Sequence, residues 1–181
     1  MSNQAVRAVD LHPLGGLPPD RARTIAARLS RHVAAPCRVV EAGAGLAPTL
    51  HGRDQGDADA LLASLESGPA GDAVRLGVTA QDLAIPIFTF VFGRARSGGR
   101  AAVVSLARLD PAFYGLPEDE DALVDRAVRE ALHELGHVAS LAHCDSLECL
   151  MRFAGSVEKA DLRGARFCDE CAARLPGWLR R

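Results

Sequence analysis

Hydrophobic and polar positions alternate in two rhythms along the chain. Ile25, Leu29 and Val33 recur every four residues behind Pro18, Pro19 and Asp20, which predicts an amphipathic helix that stops by Pro36. Leu61, Leu62 and Leu65 follow Asp57, a capping residue, and Gly68 lies just beyond them, so a second helix is expected there. A third helix opens at residues 117–121 (PEDED), where acids suit the positive end of a helix, and runs to about residue 139. Its buried stripe is Val124, Val128, Ala131, Leu135 and Val138. Between the helices the rhythm is that of strands. Residues 6–11 and 37–40 are short candidates, and residues 41–56 read as loop. Residues 74–79 (VRLGVT), 87–93 (IFTFVFG) and 101–109 (AAVVSLARL) are rich in β-branched and aromatic positions. The Gly-rich turn RSGGR at 96–100 favours an antiparallel pair, whereas the earlier strand–helix alternation favours parallel neighbours. The expected class is α/β: a mixed, mostly parallel sheet with one antiparallel edge strand. From Cys144 onward periodicity fades, apart from a short helix expected over 168–175 before Pro176.

Composition narrows the function. The 181 residues suffice for one domain with a core, residues 1–143 forming the sheet-and-helix part and 144–181 a small C-terminal part. A net charge of −2 gives no basis for nucleic-acid binding or for attraction to a membrane surface. No apolar run approaches the length of a membrane span, and the first 20 residues lack the apolar core of a signal peptide, so a cytoplasmic protein is expected.

The chemistry concentrates in HELGHVASLAHC, residues 133–144. His133 and His137 are four residues apart, which places both imidazoles on one helix face with Glu134 beside them. Two neutral imidazoles and a carboxylate at this spacing form a zinc site with a general base. His143 comes six residues after His137. On a continuing helix it would lie about 9 Å further along the axis. That is incompatible with nitrogen–zinc distances of about 2.0–2.1 Å. For His143 to be the third ligand, the helix must end and the chain must turn back. The plainer alternative is a pair of surface histidines on a polar face.

Four cysteines follow in two close pairs, Cys144 with Cys149 and Cys168 with Cys171. Two such pairs separated by a loop have the spacing of a tetrahedral Cys₄ zinc site, which has no open coordination position and is therefore structural. An iron–sulfur cluster, disulfides and a nucleic-acid-binding zinc ribbon rank lower. Cys37 stands apart and reads as a small buried hydrophobe.

Taken together, HELGHVASLAHC, then CLM at Cys149 to Met151, then CDEC at Cys168 to Cys171 resemble the archaemetzincins, zinc peptidases of the metzincin clan. FVFG at 90–93, VSLARL at 104–109 and FYG at 113–115 resemble segments of the same family. The resemblance covers residues 74–171 well and the N-terminal third weakly. It implies a metzincin-type zincin fold with two zinc ions per chain. The catalytic one would be held by His133, His137 and His143, and the structural one by Cys144, Cys149, Cys168 and Cys171. Glu134 would be the general base of peptide hydrolysis, with a peptide or protein as substrate and Met151 lying under the site. FTFVFG would be the edge strand that binds extended substrate. Tyr114 is a weak candidate for an oxyanion donor. The motif departs from the family at Ser140, where glycine allows the sharp left-handed turn. A non-catalytic peptide-binding module on the same fold is the alternative function, with Ser140 its only support.

Overall fold

The computed structural model describes residues 6–40, 47–69 and 71–180. Its main sheet has five strands in the order β2-β1-β4-β8-β7. β1 (Ala8–Leu14), β2 (Cys37–Val39), β4 (Ala73–Thr79) and β8 (Ala101–Ser105) run parallel, and β7 (Gly93–Ala95) pairs antiparallel with β8 at the edge. A second sheet has the order β3-β5-β6, made of β3 (Gly56–Asp57), β5 (Leu83–Ile85) and β6 (Phe88–Val91). The expected mixed, mostly parallel sheet with an antiparallel edge is therefore present.

The strand period of two sorts side chains between two cores. Val74, Leu76 and Val78 of β4 and Ala102 and Val104 of β8 face α1 (Pro19–Leu29) and α3 (Glu120–Val138). Ala101 and Val103 face the opposite side, onto α2 (Ala58–Glu66), with Leu61, Leu62 and Leu65. Asp57 caps α2 by accepting from the N–H groups of Asp59 and Ala60, and Asp119 caps α3 by accepting from Ala122. The acidic start of α3 has a second use. Arg21 and Arg28 of α1 pair with Glu120 and with Asp121 and Asp125, so the two helices are clasped at their exposed flank.

Several elements differ from the sequence expectation. Residues 87–93 form no single strand. The chain changes sheets at buried Phe92, so β6 pairs with β5 and only Gly93 onward edges the main sheet. Residues 101–109 are strand only to Ser105, whose hydroxyl accepts from Ala107 N–H and turns the chain into a 3₁₀ helix at Ala107–Leu109. α1 ends at Leu29, although Val33 still reaches the core. The C-terminal part contains α4 (Val157–Leu162), unmarked by any long apolar period but capped by Ser156, and α5 (Asp169–Ala173). Of the loop expected at 41–56, residues 41–46 lie outside the described residues, and Gly56 belongs to β3. Among the described residues no helix is long and apolar enough to cross a membrane.

Asp57→Ala should lower stability by about 1 kcal/mol, read as a reduced midpoint in urea, because two helix N–H groups lose their acceptor.

Candidate metal centre

The last two turns of α3 carry His133, Glu134 and His137, the first two buried. The helix then stops as the motif requires. Ser140 adopts φ 66°, the single non-glycine residue with positive φ among those described. Leu141 N–H donates to Gly136 O at 2.9 Å and Ser140 N–H to His137 O at 2.8 Å, the paired bonds of a Schellman cap. A serine thus fills the left-handed position that glycine usually occupies.

The reversal brings His143 back against the helix. Its ring centroid lies 5.3 Å from that of His133 and 4.9 Å from that of His137, and the three ligand atoms all lie within 4.8 Å of one another. The two helix histidines are also oriented. His133 Nδ1 is 2.9 Å from Leu150 O, and His137 Nδ1 is 2.8 Å from Leu141 O. A ring nitrogen that donates to a carbonyl leaves its Nε2 with a free lone pair. Both Nε2 atoms turn inward, 3.2 Å apart. Burial lowers the pKa of all three imidazoles, that of His133 to about 4, so the neutral, ligating form prevails at pH 7. The donor set and its spacing suit a tetrahedral zinc ion with one position open.

Glu134 is packed beneath the sheet edge. A Cβ added at Gly93 would lie 2.6 Å from Glu134 Cγ and Oε1, so β7 crosses the carboxylate at a distance that only glycine permits. Burial, and then Glu130, push the Glu134 carboxyl well above the usual range. On the far side of the helix Met151 is fully buried, and a Cβ at Gly136 would lie 2.4 Å from its sulfur. Met151 is therefore seated directly on the backbone between the two helix histidines.

The four cysteines also converge. Their sulfurs lie within 4.8 Å of one another, with Cys144 Sγ and Cys168 Sγ 3.9 Å apart, and none is in a disulfide. Met151 and Cys168 N–H groups each donate to Cys149 Sγ at 3.4 Å, as suits a thiolate ligand. This cluster can hold a second zinc ion. Cys37 lies apart on β2, and burial pushes its thiol up to about 11. That is consistent with an inert packing role.

A cavity of about 360 Å³ opens over the histidines, walled by Phe88, Phe90 and Phe153 and bounded by Gly93, Arg94 and Arg163. Tyr114 is not among its lining residues. The Tyr114 hydroxyl donates to Arg108 O at 3.0 Å and its ring packs on Phe113, so the oxyanion expectation is replaced by a packing role. Sequence reasoning missed Glu130 and Arg163, which form a buried ion pair beside His133. The three-residue spacing from Glu130 to His133 could have revealed the acid, but nothing marked Arg163.

A sheet edge laid across a helix that bears an HExxH pair, with a returning third histidine above a buried methionine, defines a metzincin-type zincin. The model for peptidase family M54 matches residues 53–176, and the chain belongs to that family. It is 45% identical over 111 residues to the archaemetzincin of Methanocaldococcus jannaschii, a match covering 61% of this chain and 62% of that protein, less than two thirds of its length. Two crystal structures superpose along nearly the whole chain. A zinc-dependent peptidase from Methanocorpusculum labreanum gives a TM-score of 0.83 at 29% identity, covering 93% of this chain and 100% of that one. The archaemetzincin of Archaeoglobus fulgidus, complexed with malonate, gives 0.80 at 32% identity, with 93% and 99% covered.

Ser140→Gly should raise stability by about 1 kcal/mol in denaturant unfolding. Relief of the left-handed strain exceeds the entropy that glycine adds to the unfolded chain. An unchanged or lower stability would show that the serine is unstrained there.

Proposed function

We propose that this protein is a zinc-dependent peptidase. On this reading His133, His137 and His143 hold the catalytic zinc, Glu134 is the general base, and Cys144, Cys149, Cys168 and Cys171 hold a structural zinc. The observation that carries it is the convergence of three imidazoles, two of them locked with Nε2 inward, beside a buried carboxylate at the base of a cavity. A zinc ion bound there supplies Lewis acidity, acidifying water and polarising a carbonyl.

The remaining work falls to the chain. Glu134 takes the proton of the attacking water and holds it on its carboxyl group, then delivers it to the leaving amine. The substrate is a peptide or protein in extended form. β7 has β8 on one side only, and its other edge borders the cavity, so a peptide strand can pair there by β-augmentation. The binding edge is thus Gly93–Ala95, while FTFV walls the cavity and offers Phe88 and Phe90 to substrate side chains. Residues 1–143 and 144–181 act as one domain, the second part completing the site on the first. The free cysteine cluster fits a reducing, cytoplasmic setting.

Glu134→Gln should abolish cleavage in a peptide-library assay, with two zinc ions per chain still found by metal analysis. Chelation of the histidine-site zinc should abolish cleavage in the native protein. Cleavage by Glu134→Gln at the native rate would remove Glu134 from its role. A fully zinc-loaded native protein that binds peptides without cutting them would replace the peptidase by a binding module.

A further inference from the structure

Glu130 and Arg163 form an ion pair almost wholly removed from water, each about 4% exposed, with Arg163 Nη2 donating to Glu130 Oε2 at 2.6 Å. Such a pair is a poor device for stability, since packed apolar side chains of similar volume serve as well or better. This one is also imperfectly satisfied: Arg163 Nε is buried with no hydrogen-bond partner among the described residues. Its location is what distinguishes it. Glu130 lies one helical turn before Glu134 on α3, so the two carboxyl groups stand on the same face of the helix. Glu130 and Arg163 both line the cavity together with His133 and Glu134.

Arg163 is itself held firmly. It follows α4, where the backbone is pinned from both sides: Leu150 N–H donates to Arg166 O at 2.8 Å, and a Cβ at Gly164 would fall 1.5 Å from Glu148 O. Leu150 is also the residue whose carbonyl orients His133. The segment between the two cysteine pairs therefore reaches the site twice, once through a carbonyl and once through a guanidinium.

We infer that Arg163 is a positioning residue: it fixes Glu130, and Glu130 fixes the Glu134 carboxyl group on the histidine face of the cavity. The inference rests on Glu134 being the general base. On the opposite side Gly93 already closes against Glu134. The carboxyl group is thereby confined between a backbone that admits no side chain and a carboxylate that is itself anchored. Removing the anchor leaves the zinc ligands in place and frees the base.

The test compares the native chain with Arg163→Met, Arg163→Lys and Glu130→Gln, each zinc-loaded, on one peptide cut by the native protein. Arg163→Met should lose roughly 10- to 100-fold in kcat, with KM shifted less than about twofold, since a misplaced group acts on the reaction step rather than on binding. Arg163→Lys, which still presents a cation to Glu130, should recover most of that loss. Glu130→Gln should fall as Arg163→Met does, and every variant should keep two zinc ions. Should Arg163→Met fail to fold, the contrast between impaired Glu130→Gln and active Arg163→Lys carries the inference. A native kcat in Glu130→Gln, a loss confined to KM, a lysine variant no better than the methionine one, or loss of the histidine-site zinc would each overturn it while leaving the peptidase reading intact. A native protein that cuts no peptide overturns both.

Discussion

One geometric constraint governs this molecule: a histidine six residues beyond His137 cannot reach the same point along a helix. The chain must break its helix between Val138 and His143, and it does so at Ser140 with a left-handed residue and two capping bonds. The same turn aims Leu141 O at His137 Nδ1, so the event that returns the third histidine also sets the ring of the second. Termination and ligand orientation are one interaction. The strain of a serine in the left-handed region is a local cost of about 1–2 kcal/mol, borne where backbone geometry is fixed by function.

The main sheet and α3 form a rigid platform, and the C-terminal part completes it. Leu150 O holds His133, Met151 lies under Gly136, and Phe153 stands at the cavity beside His143. These three residues all lie within four positions after Cys149, so the cysteine cluster stations the second half of the site. The first half is closed from above by β7, whose glycine gives the sheet edge its close approach to Glu134.

The platform was legible because its elements repeat. α3 showed a full apolar stripe and an acidic start, β4 and β8 showed dense β-branched positions, and the ligand motif gave its own spacing. The histidines and cysteines could be placed because metal binding demands particular side chains at particular intervals. What was not legible depended on contacts between distant segments. The switch of sheets at Phe92 is set by which neighbour each half of FTFVFG meets, and the local sequence of a strand does not state its partner. α4 has only Val157 and Ala160 to bury, too short a pattern to stand out. Arg163 looks like any surface cation until the fold buries it.

The adjacency of His143 and Cys144 joins the two clusters end to end along the chain. The carbonyl that fixes His133 and the methionine beneath it belong to a stretch whose backbone is bridged from Cys149 to Arg166. Both helix histidines precede that stretch in the sequence, and Cys168 and Cys171 follow it. The carbonyl that fixes His133 and the methionine packed on Gly136 thus stand between the two cysteine pairs, so one stretch of chain ties the histidine cluster to the cysteine cluster.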